Sequence, residues 1–359
     1  MHIPDGYLSP TTCAALYAGA APFWWMALRR LRRSLHTRLV PRLSVFAAFS
    51  FVVMMFNLPL PGGTTGHAVG VALATIVLGP SASILAISTA LVIQAFFFGD
   101  GGITALGANC FNIAIVGSLV AYPVYRAIAG HAPLESRRRV VAAGLAGYAA
   151  INVSALLTAL EFGIQPLLFR DASGAPLYCP YPIRVAVPAM MLGHLTIAGI
   201  AELLLTGGVV AFLQRTDPGL LATTAGDVAQ ARSDRSLRPL WLALGTLLVL
   251  TPLGLLAGGA AWGEWRASDF ADPGARRAMA ESSFEHAPPS AAPGGLERLA
   301  SVWTAPLRDY APPFLRSRAL GYALSAMFGA GLVVLAVTGL SALVRLRQRS
   351  RSASNTVSP

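Results

Sequence analysis

The chain has 359 residues, of which 55% are hydrophobic and 12% charged, and its mean hydropathy is +0.59. Soluble domains carry about 25% charged residues, so this composition excludes an ordinary soluble protein and predicts an all-α polytopic membrane protein. The net charge of +11 does not indicate binding to nucleic acid, because the arginines concentrate in short segments between apolar runs, as in cytoplasmic loops.

The N-terminal segment, MHIPDGYL, places a histidine directly after the initiator methionine. With a free Met1 amine, the amine, the His2 backbone nitrogen and His2 Nδ1 can bind one metal ion through a five-membered and a six-membered ring. Planar nitrogen ligands suit Ni(II) or Cu(II), and imidazole also binds cobalt and zinc. Pro4 stiffens the chain after this chelate, and Asp5-Gly6 is a turn signal. The alternative is a disordered terminus with an ordinary histidine.

Nine apolar runs follow the N-terminal segment. They cover residues 11–28, 43–56, 68–78, 84–98, 103–125, 140–162, 183–213, 240–261 and 319–344. The first arginine cluster, residues 29–33, follows the first run, whereas basic residues precede the apolar core of a secretory signal peptide. This order predicts an extracytoplasmic N-terminus that keeps Met1 and His2, a cytoplasmic C-terminus, and insertion in the inner membrane of a bacterial cell.

The composition also predicts four regions along the chain. They are a transmembrane domain over residues 1–214, a polar cytoplasmic linker over 215–239, a two-span module over 240–345 with an extracytoplasmic loop at 262–318, and a basic cytoplasmic tail over 346–359.

The loop from Asn57 to His67 contains two prolines and three glycines, which cannot continue a helix. Non-helical backbone beside a membrane span is tolerated where it is buried in protein or lines a cavity. The loop is therefore either an exposed turn or a folded-in binding loop. His67, at its end, is a candidate for a fourth nitrogen ligand; the alternative is a histidine that caps a helix or bonds a carbonyl.

Other polar residues in or beside the apolar runs are candidates for supporting roles. Some could fix imidazole tautomers and loop positions around a metal, or could form ordinary hydrogen bonds between helices: Asn57, Thr64, Thr65, Asp100, Asn109 and Asn112. His194 and Glu202 lie eight residues apart on one helix face, and Glu161 lies near a span end. These three are functional candidates because ionisable groups are rare in spans; the alternative is an internal bond that joins helices.

Several catalytic and structural motifs are absent from the sequence. GxxxxGK[ST], HExxH, GxSxG and CxxC do not occur, and the chain contains no lysine, so it is not expected to hydrolyse ATP itself. The cysteines, Cys13, Cys110 and Cys179, are scattered without a zinc-site spacing and are expected to be buried thiols.

Three segments, MHIPDGYLSP, MFNLPLPGGTTGHAVG and FGDGGITALGANCFNIA, resemble those of the CbiM/NikM family over about residues 1–214. This family is the substrate-binding membrane component of cobalt and nickel energy-coupling-factor transporters. The resemblance implies a seven-helix fold with the N-terminus tucked into the protein. It also implies a square-planar site for Ni(II) or Co(II), the transported substrate, formed by the Met1 amine, the His2 amide and imidazole nitrogens, and a His67 nitrogen. The implied partners are a membrane coupling protein and two ATPase subunits.

The C-terminal module resembles the two-span accessory subunit called CbiN or NikN. Its stretch PLGLLAGGAAWGEW is similar to the fused form with a PDGLE-type domain, although the nearest motif, Pro293–Glu297, has Gly294 where that motif has Asp. The resemblance implies that the module helps to load the metal. Planar nitrogen geometry and the fused module favour nickel, but cobalt fits the same ligands.

Two other classes of function remain open at this point. The first is a secondary transporter or channel for divalent metal ions that uses His194 and Glu202, and the second is a membrane enzyme, for which no catalytic motif is present.

Overall fold

The structure, a computed structural model, describes residues 1–32, 39–222 and 237–355. Within these ranges the chain is mostly helical, with one two-stranded sheet of three-residue strands. The prediction of an all-α multi-pass protein is confirmed. Most of the linker predicted at residues 215–239, half of the first predicted cytoplasmic loop and the end of the basic tail lie outside the described residues.

The N-terminal domain contains seven continuous helical segments of eight or more residues in the described part of the chain. They are α1 (Pro10–Arg32), α2 (Leu39–Val53), α3 (Val71–Leu78), α4 (Pro80–Ile93) with a π-helical continuation to Phe98, α5 (Leu106–Asn109) joined by the π-helical residues Cys110–Val116 to α6 (Gly117–Ala129), α7 (Arg137–Leu168), and α8 (Ile183–Gly193) joined by the π-helical residues His194–Ala198 to α9 (Gly199–Thr216).

The C-terminal module contains two long helices and a structured segment between them. Its helices are α10 (Arg238–Leu250), which continues as a 3-10 helix to Leu256, α11 (Pro273–Glu281), α12 (Gly294–Leu299) and α13 (Arg318–Asn355). We call residues 257–317, between the two long helices, the outer loop.

Six helices of the described residues are long and apolar enough to cross a membrane. They are Pro80–Phe98, Leu106–Ala129, Arg137–Leu168, Ile183–Thr216, Arg238–Leu256 and Arg318–Leu343. Helix α2 has 15 residues and α3 has eight, all of them buried, so α3 is only about 12 Å long. Helical segments occur at all nine predicted runs, but the number of true spans stays a prediction.

Local sequence sets the ends of the helices that frame the N-terminus. Ser9 precedes α1, and its Oγ accepts a hydrogen bond from the Thr12 N–H at 3.1 Å, while Pro10 occupies the first helical position, where its missing N–H costs nothing. Pro80 starts α4 in the same way, directly after Gly79. The cap at Ser9 and the proline at position 10 therefore fix the point at which the N-terminal segment ends and α1 begins.

The proline- and glycine-rich loop before His67 forms a β-hairpin. Strand β1 (Leu58–Leu60) pairs with the antiparallel strand β2 (Thr64–Gly66), and β2 makes a further bridge from Thr65 to Ala261 of the outer loop. The sequence predicted a non-helical loop here but not strands, because three-residue strands carry no alternating pattern. The hairpin is buried along β2, which favours the folded-in interpretation over an exposed turn.

The outer loop is packed onto the N-terminal domain. Trp262 and Trp265 form an aromatic cluster with Tyr7, Phe162 and Tyr181, with neighbouring ring centroids 5.3–6.2 Å apart. The Tyr7 hydroxyl also donates to the Trp265 carbonyl at 2.9 Å. The sequence predicted a hydrophilic extracytoplasmic loop, whereas the structure buries much of its apolar surface against the first residues of the chain.

Candidate metal centre

The N-terminal segment is buried inside the protein. Met1 is 3% exposed, His2 1% and Ile3 0%. Asn109 of α5 holds this segment through both backbone polar groups of Ile3, because its Oδ1 accepts the Ile3 N–H at 2.7 Å and its Nδ2 donates to the Ile3 carbonyl at 3.1 Å. The Gly102 N–H also donates to that carbonyl at 2.8 Å. The position of His2 is therefore set by its neighbour's backbone, and the terminus is not frayed.

Asp5 holds the turn that follows this N-terminal segment. Its carboxylate accepts hydrogen bonds from the backbone N–H groups of Ile103 at 3.1 Å and Thr104 at 2.7 Å. Gly102 lies so close that a Cβ there would sit 2.3 Å from the Asp5 nitrogen. Glycine in the turn that follows α4 therefore allows the backbones of Gly102 and Asp5 to approach each other.

The two candidate histidine ligands lie side by side. The His2 and His67 ring centroids are 5.1 Å apart and the rings are inclined by 30°, and both side chains are buried. His67 Nδ1 lies 3.0 Å from the Ala68 carbonyl. Since a carbonyl only accepts, Nδ1 carries the hydrogen and Nε2 keeps a lone pair for a metal.

Electrostatics also keep His67 unprotonated. Burial, followed by the nearby His2 and the N-terminal amine, lowers the pKa of His67 from its ordinary 6.5 to about 3. The neutral imidazole is the form that binds metal, so His67 is ready as a ligand over the whole physiological pH range.

His2 is held by a carboxylate. Its Nδ1 lies 2.7 Å from Asp100 Oδ1, and its Nε2 has no hydrogen-bond partner among the residues that the structure describes. Asp100 Oδ2 accepts hydrogen bonds from the Tyr310 hydroxyl at 2.6 Å and from Gln94 Nε2 at 3.3 Å. Burial alone would raise the pKa of Asp100, but the charge and hydrogen bond of His2 outweigh it and hold that pKa well below its ordinary value. Asp100 is thus a partly buried anion beside His2.

The Met1 amine meets a second carboxylate, which comes from the outer loop. Its nitrogen lies 3.2 Å from Glu264 Oε1. The Met1 amine and His2 Nδ1 are therefore each paired with a carboxylate, that of Glu264 and that of Asp100. A metal ion that binds these two nitrogens would replace hydrogens that now point at the carboxylates. No group of three His, Cys, Asp or Glu side chains in the described ranges could hold a metal ion, so a metal here must also draw on main-chain nitrogens.

The remaining predicted supporting residues occupy different places. Thr65 donates its N–H to the Ala260 carbonyl at 3.2 Å, and the Thr64 hydroxyl bonds within the hairpin turn. Asn57 begins the hairpin, with its N–H directed at the Met55 carbonyl. Asn112 lies between helices instead, where its Nδ2 donates to Glu161 at 2.8 Å and Thr158 at 3.2 Å. Their role around a metal stays a prediction, and the contacts of Asn112 and Glu161 are those of a bond that joins helices.

Glu202 anchors the backbone that follows His67. Its carboxylate accepts hydrogen bonds from the N–H groups of Val69 at 2.7 Å and Gly70 at 3.0 Å, and from the Thr206 hydroxyl. His194 Nδ1 faces the Met190 carbonyl at 2.8 Å, within its own helix. The contacts of Glu202 join two segments of the fold, which favours the second interpretation for that residue, whereas the contact of His194 stays within its own helix.

Three residues of the site escaped sequence reasoning: Gln94, Glu264 and Tyr310. Gln94 is one amide among apolar neighbours in a span. Glu264 and Tyr310 lie in a long loop with seven acidic residues and seven arginines, where no spacing marks one acid as different. The only available signal was the aromatic stretch around Trp262 and Trp265.

The apolar helices are those of a multi-pass membrane protein, and its similarity to known proteins places it among the membrane components for transition-metal transport. The chain belongs to the CbiM family, described as the cobalt uptake substrate-specific transmembrane region, which it matches over residues 2–220. Residues 238–346 match the PDGLE domain.

Relatives share both parts of the chain. The fused nickel transport protein NikMN of Rhodobacter capsulatus is 57% identical over 97% of this chain and 99% of its own length. The probable fused nickel transport protein LarMN of Lactiplantibacillus plantarum is 40% identical over 95% of this chain and 97% of its own. The cobalt transport protein CbiM of Geobacter sulfurreducens is 33% identical over 62% of each chain.

A solved structure shares the fold of the N-terminal domain. The crystal structure of a truncated transition metal transporter is 48% identical in sequence, with a TM-score of 0.57, and covers 60% of this chain and 99% of that one. The relatives are metal transport proteins and not enzymes, in line with the absence of a catalytic motif.

Proposed function

We propose that this chain captures Ni(II) or Co(II) for an energy-coupling-factor uptake transporter. The metal would be the transported substrate, held by the Met1 amine, the His2 amide nitrogen, His2 Nδ1 and His67 Nε2. The observation that carries this proposal is the buried juxtaposition of His2 and His67, whose ring centroids are 5.1 Å apart, next to a buried Met1.

The ligand chemistry follows from the hydrogens that each donor carries. Binding replaces one hydrogen of the Met1 ammonium, whose two remaining hydrogens can still pair with Glu264, and it replaces Asp100 at His2 Nδ1. The amine and the amide each release a proton, and the hydrogen on His2 Nδ1 must also leave that atom, so a divalent ion takes the place of at least two protons. Affinity should therefore fall steeply in acid. Asp100 stays beside the ion as a counter-charge, which a buried cation requires.

The choice of metal leans on relatives. Two fused relatives that span nearly the whole chain are named as nickel transport proteins, and four nitrogens in a plane suit Ni(II). Cobalt is the alternative, since the same donors bind Co(II) and relatives that match only part of the chain are named as cobalt transport proteins.

The proposed partners are those that the family resemblance implies. They are a membrane coupling protein and two separate ATPase subunits, since the chain itself contains no nucleotide-binding motif, and its N-terminus would lie on the outer side of the cell membrane. Nickel uptake by cells that express the chain with and without these partners tests this. Uptake that needs them and ATP supports the proposal, and equal uptake by the chain alone would favour a channel.

The ligand set is tested by metal analysis of the purified protein. The native chain is compared with a form that carries one extra residue before Met1 and with His2→Ala. Near one nickel or cobalt per native chain, lost in both variants while their thermal unfolding stays unchanged, is the expected result. Equal metal content in all three would remove the N-terminus from the site.

A further inference from the structure

We infer that the metal site is shared between the two modules, and that Glu264 of the outer loop is the positioning residue for the Met1 amine. The inference rests on the proposed ligand set. It adds a residue outside the three motifs that carry the family resemblance.

The first observation is the ion pair itself. The Met1 nitrogen lies 3.2 Å from Glu264 Oε1, across 263 positions of sequence, and the Met1 side chain is 1% exposed against 22% for Glu264. A buried ammonium needs a hydrogen-bonded counter-charge. Among the described salt bridges, Glu264 is the carboxylate paired with it.

The second observation is that four hydrogen bonds join the outer loop to the N-terminal domain around the site. The Thr65 N–H donates to the Ala260 carbonyl at 3.2 Å, and Gly295 donates to the Leu177 carbonyl at 2.7 Å. Tyr310 donates to Asp100 at 2.6 Å, and the Tyr7 hydroxyl donates to the Trp265 carbonyl, directly after Glu264. The carboxylate is therefore presented by a fixed backbone.

The third observation is a close contact at the turn that follows the chelate. A Cβ on Gly6 would lie 2.6 Å from the Leu296 Cα, so the N-terminal turn and α12 are packed backbone against backbone. The first residues of the chain are thus enclosed between the turn after α4 on one side and the outer loop on the other.

Glu264 keeps its function when the metal binds. A coordinated primary amine still carries two hydrogens, so the carboxylate can accept from it in the loaded state as it does from the ammonium. The negative charge also attracts a divalent ion more strongly than the single proton charge that the ion replaces at the amine. Loss of this charge should therefore weaken metal binding.

The test is equilibrium titration of the full-length chain with NiCl₂ against a competing chromophoric chelator. Glu264→Gln keeps the size of the side chain and one acceptor oxygen but removes the charge. The matched control is Glu281→Gln, which removes the same charge from an exposed position of the same loop, where Glu281 pairs with Arg277. The expected result is about a tenfold loss of nickel affinity for E264Q and no change for E281Q.

Two further readouts separate positioning from other roles. The ligand-field spectrum of the bound nickel should be the same in E264Q as in the native chain, because Glu264 is not a ligand; a shifted spectrum would overturn the positioning role. Metal-free E264Q should still unfold cooperatively, at a lower temperature than E281Q because the buried ammonium loses its counter-charge, so that a loss of affinity is not a loss of folding.

The outcomes distinguish this inference from the proposed function. If His2→Ala abolishes binding while E264Q binds nickel as tightly as E281Q, the shared site is wrong and the ligand set stands. If His2→Ala binds like the native chain, the ligand set itself fails, and the positioning role falls with it.

Discussion

The Glu202 carboxylate accepts the backbone N–H of Val69 at 2.7 Å, two residues after His67. The same carboxylate bonds the N–H of Gly70, whose φ of +75° turns the chain into α3. A buried acid in one span thus fixes the short non-helical segment that carries the candidate ligand of another part of the fold. This gives Glu202 a role in ligand position without contact with a metal.

Glu202→Gln should lower both stability and nickel affinity. The amide cannot accept all the hydrogen bonds that the carboxylate accepts, and charge-assisted hydrogen bonds contribute about 2 kcal/mol each. Thermal unfolding in detergent and nickel titration measure the two effects. The control is Glu161→Gln, which also alters a carboxylate inside the bundle but leaves the His67 segment untouched. Equal nickel affinity in the two variants would contradict the role of Glu202.

Gly102→Ala should displace the N-terminal segment. Its Cβ would meet the Asp5 nitrogen at 2.3 Å, so the segment must move and His2 with it, with an expected loss of nickel affinity of about tenfold or more. Gly208→Ala is the control, because a Cβ there meets nothing within 4 Å and the change should stabilise the exposed helix by about 0.5–1 kcal/mol. Unchanged nickel affinity in G102A would show that the segment tolerates the shift.

The metal-free protein should lose stability as the pH falls below about 6.5. Burial lowers the pKa of His67 to about 3 from an ordinary value of 6.5. Between these values the unfolded chain binds a proton that the native chain does not, so acid favours unfolding. The stability is present above pH 6.5 and is lost progressively toward pH 3. Asp100, whose pKa is lowered, adds a further loss below its ordinary 3.8.

Melting temperatures measured from pH 7.5 to 4.5 with a chelator present check this expectation. His67→Asn should flatten the curve, because the titrating group is gone, whereas the same change at the exposed His131 should not. A native slope retained in H67N would assign the acid sensitivity to other groups.

Tyr310→Phe should weaken nickel binding through Asp100. The variant removes the hydroxyl that donates to Asp100 at 2.6 Å, which costs about 1–3 kcal/mol for a buried charged acceptor and frees the carboxylate from its place beside His2. Tyr322→Phe is a close match, since the Tyr322 hydroxyl donates to the Met55 carbonyl at 2.7 Å and lies in the same module. We expect both to lower the melting temperature, but only Y310F to lower nickel affinity; equal affinities would separate Tyr310 from the site.

The sequence predicted the helical runs well, because apolar runs are visible in the local composition. The candidate ligands stay a prediction, although the structure brings Met1, His2 and His67 together. The sequence could not predict the hydrogen-bond partners that tertiary packing brings together. Glu202 was visible as a buried acid, but its bonds to Val69 and Gly70 join positions more than 130 residues apart. Glu264 had no local mark among the acids of its loop.

Two local features were also missed for physical reasons. The hairpin from Leu58 to Gly66 has strands of three residues, too short for a period to appear against prolines and glycines. The π-helical turns after Ile93 and at His194–Ala198 depend on one extra residue in a helical turn, which an apolar pattern cannot register.

Because the outer loop is docked beside the proposed metal site, we expect its docking to respond to metal binding. If Glu264 strengthens nickel binding when the loop is docked, then bound nickel must strengthen docking by the same factor, because the coupling free energy between two equilibria is reciprocal. Amide hydrogen exchange in the loop around Trp265, whose carbonyl bonds Tyr7, should therefore slow when nickel is added. Loss of the metal and loosening of the outer loop then become two aspects of one equilibrium.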